Sequence, residues 1–172
     1  DWASYAAETA GVGVNLTTAA GSGAAAGDTY VSIENVAGTN FDDQLTGNGE
    51  ANTLMGNGGN HALNGEAGAD ILQGGDGDDV LRGGAGADRL DGGAGVDTAS
   101  YWGETAGVTV NLATGTGTGG NAQGDILIGI ENVNGGKAGD TLIGSSGANA
   151  LNGYEGNDVL RGGAGQDALT GG

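Results

Sequence analysis

The sequence predicts an all-β fold, a solenoid of stacked nine-residue repeats. Three observations support this prediction: glycine makes up 42 of the 172 residues, a nine-residue period runs along two long segments, and Leu recurs once per period. The small number of bulky side chains argues against an ordinary core, since only two Trp, four Tyr and one Phe occur. One repeat cannot bury its own Leu, so neighbouring repeats must stack to form a common core.

The nine-residue blocks begin at Gly38 and, after a break, again at Gly135, and all eleven open with Gly. The eighth residue is Leu in ten blocks and Ala99 in the other, while the sixth is Asp in eight blocks and Asn52, His61 or Asn149 in the rest. Glycine at the first, second and fourth positions permits a tight loop. The last three residues can then form a short strand, whose eighth residue points into the core.

A longer period divides the chain into two similar units. The segment DWASYAAETAGVGVNL at 1–16 returns as DTASYWGETAGVTVNL at 97–112. The first unit therefore spans 1–96, with a lead-in at 1–37 and nonapeptides at 38–96; the second spans 97–172, with a lead-in at 97–134 and nonapeptides at 135–172. We expect one continuous solenoid, with the Gly/Ala/Thr-rich segments 17–27 and 113–124 as surface loops.

The strongly negative net charge indicates that the chain binds a cation. Asp and Glu number 22 against 4 Lys and Arg, a net charge of -18, which argues against a nucleic-acid-binding protein because phosphate binding favours a basic face. Stacked blocks bring the sixth-position carboxylates within about 4.8 Å of one another, where they repel. Calcium binds carboxylates together with backbone carbonyls, which a glycine-rich loop exposes. A transition metal fits poorly with no Cys and one His. The alternative, that Asp and Asn serve only as turn formers, does not explain their confinement to one column.

The blocks GGDGDDVLR at 74–82 and GGAGADRLD at 83–91 resemble the RTX nonapeptide G-G-x-G-x-D-x-U-x, in which U is a large apolar residue. The lead-in, with its SYxxETAGVxVNL and IENV segments, is also similar to those that precede such repeats in secreted bacterial RTX proteins. The resemblance implies a right-handed parallel β-roll with two nonapeptides per coil. It further implies several calcium ions per chain, type I secretion, and an extracellular or cell-surface protein that folds on meeting calcium.

The resemblance also implies a ligand scheme, in which each calcium lies between the loops of one block and the next but one. The earlier loop gives its second and fourth carbonyls and its sixth side chain; the later loop gives its first and third carbonyls and its sixth side chain. The implied sets are Glu66, Gly68 and Asp70 with Gly83, Ala85 and Asp88; Gly75, Gly77 and Asp79 with Gly92, Ala94 and Asp97; Gly136, Ala138 and Asp140 with Gly153, Glu155 and Asp158; and Ser145, Gly147 and Asn149 with Gly162, Ala164 and Asp167.

Weaker binding is expected at the set that contains Asn149 and at the pairing of Asn52 with Asp70. The pairings of Asp43 and of Asp79 with His61 are poor candidates, because His61 occupies a position where the repeat has Asp.

No catalytic constellation is visible, so we expect a structural calcium-binding module rather than an enzyme. The alternative is the C-terminal portion of an exported protease, lipase or alginate epimerase. Beyond calcium, the candidate partners are copies of the chain stacked head to tail as a filament, and surface polysaccharide; no membrane-spanning segment is expected. The aromatic residues that recur at the unit starts, Trp2, Tyr5, Tyr101 and Trp102, are expected to close the ends of the roll rather than to bind a ligand.

Overall fold

The computed structural model describes residues 1–172 as two β-sheets, here called sheet A and sheet B, with strands numbered in chain order. In spatial order, sheet A consists of β1 (Trp2–Ser4), β4 (Asn35–Ala37), β6 (Thr53–Gly58), β8 (Ile71–Asp76), β10 (Arg89–Ala94), β14 (Ile126–Ile128), β13 (Thr116–Thr118), β12 (Thr109–Asn111), β16 (Thr141–Ile143) and β18 (Val159–Arg161). Sheet B consists of β19 (Ala168–Thr170), β17 (Ala150–Asn152), β15 (Asn132–Asn134), β11 (Thr98–Ser100), β9 (Val80–Ala85), β7 (Ala62–Ala67), β5 (Gln44–Thr46), β2 (Val12–Asn15) and β3 (Ala20–Gly23).

Successive nonapeptides alternate between the two sheets. Leu54 pairs in parallel with Leu72, and Leu72 with Leu90, while Leu63 of the intervening block pairs with Leu81 in the other sheet. Two nonapeptides therefore complete one coil, and within a nonapeptide run each strand lies beside the strand that comes 18 residues later in the chain. This register confirms the parallel β-roll.

The core is the ladder of eighth-position leucines between the sheets. The side chains are buried in both nonapeptide runs: Leu45, Leu54, Leu63, Leu72, Leu81, Leu90, Leu142 and Leu151. Their seventh- and ninth-position neighbours point outward, as strand alternation requires. Leu169 in edge strand β19 is 48% exposed, because no further strand covers it.

The two sheets differ where the second lead-in begins. Sheet B continues in parallel from β9 through β11 and β15 to β17. Sheet A is interrupted, because β13 pairs antiparallel with both β14 and β12. We refer to this region, β11 to β15, as the joint.

The expectation that segments 17–27 and 113–124 are surface loops is wrong in part. They contain β3 and β13, which pair antiparallel with β2 and β12. Gly, Ala, Ser and Thr give little strand signal by themselves. The neighbouring strand supplies the hydrogen bonds that order them.

The repeated aromatic residues fall into two groups. Tyr5 and Tyr101 are buried, and Tyr101 lies at the joint, in the interior of the roll, rather than at an end. Trp2 and Trp102 are 51% and 58% exposed.

The single helical element is a three-residue 3-10 turn, Gly120–Ala122, and no helix in the structure could span a membrane.

Candidate metal sites

The sixth-position side chains form hydrogen-bonded ladders along both edges of the roll. The backbone N–H of Asp70 donates to Oδ1 of Asp88 at 2.9 Å, and that of Asp79 donates to Oδ1 of Asp97 at 2.9 Å. The same bond joins four further pairs of residues 18 apart, with distances of 2.7 to 3.0 Å: Asn52 to Asp70, His61 to Asp79, Asp140 to Asp158, and Asn149 to Asp167. One oxygen of each acceptor is thus used to join successive coils.

The second carboxylate oxygen is left without a partner in four places. Oδ2 is buried and accepts no hydrogen bond in Asp70, Asp79, Asp88 and Asp97. Burial raises the pKa of Asp70 and of Asp79 to about 6, and it also raises the pKa of Asp88 and of Asp97. A buried, unpartnered carboxylate oxygen is costly unless a proton or a cation neutralises it.

The loops that carry these four carboxylates share a left-handed second residue. Its φ is 77° at Glu66, 116° at Gly75, 99° at Gly84 and 105° at Gly93. The fourth residue of each loop is a glycine that is also left-handed. Asn57, Tyr154 and Gly163 give three further loops the same second-position conformation.

Four other loops lack this conformation and satisfy their own sixth side chain instead. Their second-position N–H donates to it at 2.7 Å in each case: Thr39 to Asp43, Asn48 to Asn52, Gly136 to Asp140, and Ser145 to Asn149. The oxygen that is free in Asp79 is therefore occupied by a backbone N–H in Asp43 and Asp140. The nonapeptides thus fall into two groups, which we call open loops (left-handed second residue) and self-capped loops.

Stacked open loops bring their carbonyl groups into the gap between coils. A Cβ added to Gly84 would collide with the carbonyl oxygen of Glu66, and one added to Gly86 with that of Gly68. Gly93 and Gly95 face the carbonyls of Gly75 and Gly77 in the same way. Only glycine allows this approach at these positions, which carry φ values of 99° to 156°.

The later loop also directs carbonyls back across the gap. The carbonyl oxygens of Gly83 and Gly92 face Gly65 and Gly74. The Ala85 carbonyl accepts the N–H of Gly68 at 2.9 Å, and the Ala94 carbonyl accepts that of Gly77 at 2.8 Å. Two of the implied ligand sets, those joining blocks 65–73 to 83–91 and 74–82 to 92–100, therefore lie between pairs of open loops.

The other implied sets combine the two kinds of loop. In the pairing of block 135–143 with 153–161, and of 144–152 with 162–170, the earlier loop is self-capped and the later one is open. The same holds for the pairing of Asn52 with Asp70. A cation between such loops would have to compete with a backbone N–H for the earlier side chain.

His61 takes the place of an aspartate in the ladder. Its Nδ1 accepts the backbone N–H of Asp43 at 3.1 Å, the role that Oδ1 of Asp performs elsewhere. Its Nε2 is buried without a hydrogen-bond partner, and burial lowers the pKa of the imidazole. The neutral ring therefore carries its proton on Nε2, which cannot then ligate a cation.

Sequence reasoning missed two members of the ladders. The N–H of Asp88 donates to Oδ1 of Asp125 at 3.0 Å, and that of Asp97 donates to Oε2 of Glu131 at 2.9 Å. Both acceptors lie in the lead-in of the second unit, outside the nine-residue period. An acidic residue followed two positions later by a buried apolar one, Leu127 or Val133, was the available signal.

The donor set fits a hard cation. No three acidic or histidine side chains converge on one point, so a bound ion would need backbone carbonyls as well as carboxylates. Calcium binds such mixed oxygen sets, and its charge would neutralise the four unpartnered carboxylate oxygens.

A family model described as the RTX calcium-binding nonapeptide repeat (4 copies) matches residues 37–72, 64–99 and 134–169, which together make up more than half of the chain. No curated protein matches the sequence.

Proposed function

Because the chain belongs to the RTX calcium-binding nonapeptide-repeat family, we propose that it is the structural module of a secreted or cell-surface bacterial protein, and that it folds outside the cell when calcium binds. The single observation that supports the coupling to calcium is the set of four buried, unpartnered Oδ2 atoms in Asp70, Asp79, Asp88 and Asp97.

The ion would lie between stacked open loops. The best-supported ligand sets are Glu66, Gly68 and Asp70 with Gly83, Ala85 and Asp88, and Gly75, Gly77 and Asp79 with Gly92, Ala94 and Asp97. Their carbonyls face the gap between coils, and all four of their carboxylates have a free oxygen. Binding at the sets of Asp140 with Asp158 and of Asn149 with Asp167 would be weaker, because a backbone N–H already occupies the earlier side chain.

Folding would depend on the ion because the chain has little else to hold it together. It carries a net charge of -18, and the leucine ladder provides one large side chain per nonapeptide. Ordering a backbone residue costs about 1–2 kcal/mol, while burying one Leu returns about 1.5–3 kcal/mol. A ligand present at 100 times its Kd adds about 2.7 kcal/mol per site. Extracellular calcium would supply this stabilisation, and export by type I secretion would deliver the chain to it unfolded.

Circular dichroism tests the coupling. In a chelator we expect a largely disordered spectrum, and in several-fold excess calcium a β-rich one. Magnesium serves as the control, since its smaller radius and strict octahedral geometry suit carbonyl-rich loops poorly. A β-rich spectrum in chelator, or equal responses to the two ions, would contradict the proposal.

We also propose that one copy of the chain stacks head to tail on the end of another copy, in the way that the second unit packs on the first at the joint. There, Ile126 pairs with Arg89, and its N–H donates to the Asp88 carbonyl at 2.8 Å. The first lead-in repeats a polar contact of the joint: Tyr5 donates to Oδ2 of the exposed Asp28 at 2.7 Å, as Tyr101 does to Oδ2 of the buried Asp125 at 2.9 Å.

The end of the roll formed by edge strands β18 and β19 is similar in sequence to the surface on which the second lead-in packs at the joint. Residues 158–161 read DVLR, the same four residues as at 79–82, and the last three of them form β18. A copy of the first lead-in could therefore dock there as the second lead-in docks on β9 and β10.

Sedimentation velocity in calcium over a range of protein concentrations tests the stacking. We expect head-to-tail association that is lost in Asp28→Lys, which places a cation at the docking face. Asp91→Lys, at the outward-facing ninth position of its nonapeptide in β10 and outside that face, is the matched control. A strictly monomeric particle at high concentration would contradict stacking while leaving calcium-dependent folding intact.

A further inference from the structure

The second unit contains a cleft beside one of the implied calcium sets. Its volume is about 580 Å3, and the residues that line it include Trp102, Lys137, Asn152, Tyr154, Glu155 and Thr170. The backbone carbonyls of Gly136 and Glu155, which also line the cleft, belong to that calcium set, whereas no side chain of the lining residues does. From the chemistry of these side chains, we propose that the cleft binds a sugar unit of a neutral, hexose-based polysaccharide.

Tyr154 is the first observation behind this proposal. It stands at the second position of its nonapeptide, where the repeat has glycine, and its φ is 64°. A left-handed backbone costs a non-glycine residue about 1–2 kcal/mol. A bulky residue in this conformation is uncommon, and such strain concentrates at ligand sites. Glycine would serve the roll better here, so the tyrosine ring needs another explanation.

Trp102 is the second observation. It is 58% exposed and contributes to the same cleft as Tyr154. The corresponding residues of the first unit are Ala6 and Asn57. Because the first unit forms its coils without either ring, the fold does not require the pair. Two aromatic residues that occur together, in one unit and around one cleft, indicate a ligand with flat apolar faces.

The polar groups of the cleft define the rest of the ligand. The Lys137 ammonium and the Glu155 carboxylate take part in no ion pair within the protein, whose ion pairs are Asp1–Glu34 and Arg89–Asp91. Asn152 and Thr170 add amide and hydroxyl groups on neighbouring strands. A sugar ring matches this combination, because its C–H faces stack on aromatic rings while its hydroxyls both donate and accept hydrogen bonds. A polyanion does not match, since the chain has a net charge of -18 and Lys137 is the only cation that lines the cleft.

Isothermal titration calorimetry with cellohexaose, maltohexaose and chitohexaose in saturating calcium tests the proposal, with alginate oligomers as the polyanionic comparison. We expect at least one neutral oligosaccharide to bind. Trp102→Ala should weaken that binding by about tenfold or more, as loss of a central aromatic contact does. Trp2→Ala is the matched control, since Trp2 is similarly exposed but lies outside the cleft, and it should leave the affinity unchanged.

Tyr154→Gly separates binding from folding. It restores the residue type of the repeat, so the calcium-dependent spectrum should be retained or sharpened while oligosaccharide binding falls by about tenfold. The proposal is overturned if no neutral oligosaccharide binds at up to about 10 mM, if only alginate binds, or if Trp102→Ala and Tyr154→Gly bind as tightly as the unaltered chain.

Discussion

The backbone N–H of Asp88 donates to Oδ1 of Asp125 at 3.0 Å, although 37 residues separate them. At most other nonapeptides this bond joins residues 18 apart, the other exception being the bond from Asp97 to Glu131. Asp125 thus continues the ladder into the joint. Its Oδ2 accepts a hydrogen bond from the Tyr101 hydroxyl at 2.9 Å. The phenol thus satisfies the carboxylate oxygen whose counterpart has no partner in Asp70, Asp79, Asp88 and Asp97. No cation is therefore needed at Asp125 to neutralise an unpartnered carboxylate oxygen.

Removing that phenol should loosen the joint. Tyr101→Phe leaves the buried Asp125 oxygen unpaired, and we expect the free energy of unfolding to fall by about 1–3 kcal/mol in calcium. Tyr154→Phe is the control, because the only hydrogen bond of Tyr154 is made by its backbone. Urea unfolding measures both variants, and equal stabilities would contradict the role given to Tyr101.

Open and self-capped loops should differ in their dependence on calcium. Asp88→Asn removes a carboxylate whose Oδ2 is free, so the calcium midpoint of folding should rise by about tenfold. Asp43→Asn should leave the midpoint nearly unchanged, because Asp43 already accepts the N–H groups of Val12 and Thr39. Circular dichroism recorded during calcium titration measures the folding midpoint of both variants. Equal shifts of the midpoint would refute the distinction between open and self-capped loops.

The close approach of stacked loops should make one glycine irreplaceable and another dispensable. In Gly84→Ala the new Cβ would collide with the Glu66 carbonyl, and the φ of residue 84 is 99°. A left-handed alanine alone costs about 1–2 kcal/mol, so the free energy of unfolding should fall by more than that. A Cβ at Gly49 meets nothing within 4 Å, and Gly49→Ala should be neutral or slightly stabilising. Thermal unfolding in calcium decides; a Gly84→Ala variant as stable as Gly49→Ala would count against the stacking geometry.

His61 should exclude calcium from its own pair of loops. In His61→Asp the open loops of blocks 56–64 and 74–82 would carry carboxylates at both sixth positions, so calorimetry should count at least one more bound ion. His61→Asn, which keeps an acceptor without the charge, should not gain one. An unchanged stoichiometry in His61→Asp would mean that the histidine is not what prevents binding.

Low pH should partly substitute for calcium in stabilising the folded chain. Burial raises the pKa of Asp70 and Asp79 to about 6, above the ordinary value near 3.9 of an unfolded chain. The folded state therefore binds more protons between these values, and the calcium-free fold gains stability as the pH falls through about 6. Circular dichroism in chelator should show more β structure at about pH 5 than at about pH 7.5. The opposite order would indicate that these carboxyls are not buried without partners.

The nine-residue period was enough to predict stacked repeats and the leucine ladder from Leu45 to Leu151, because each Leu must pack against its neighbour in the stack. The parallel roll with two nonapeptides per coil followed from the resemblance to the RTX repeat. Other features lay outside the period. β13 has a sequence of Thr and Gly that favours no structure, and it becomes a strand only through pairing with β12 and β14. The difference between Asp79 and Asp43 depends on backbone dihedrals at the second loop position, which a column of aspartates does not reveal. Asp125 was missed because the segment that contains it breaks the spacing.

The lengths of the strands have a consequence for local unfolding. The five six-residue strands β6 to β10 are consecutive, between Thr53 and Ala94, and all the other strands have three or four residues. A solenoid opens from its weakest coils, because each coil contacts only its neighbours. Amide hydrogens in β6 to β10 should therefore exchange last, and fraying should advance toward them from both sides. The middle of the first nonapeptide run then acts as the stable segment on which the remaining coils order.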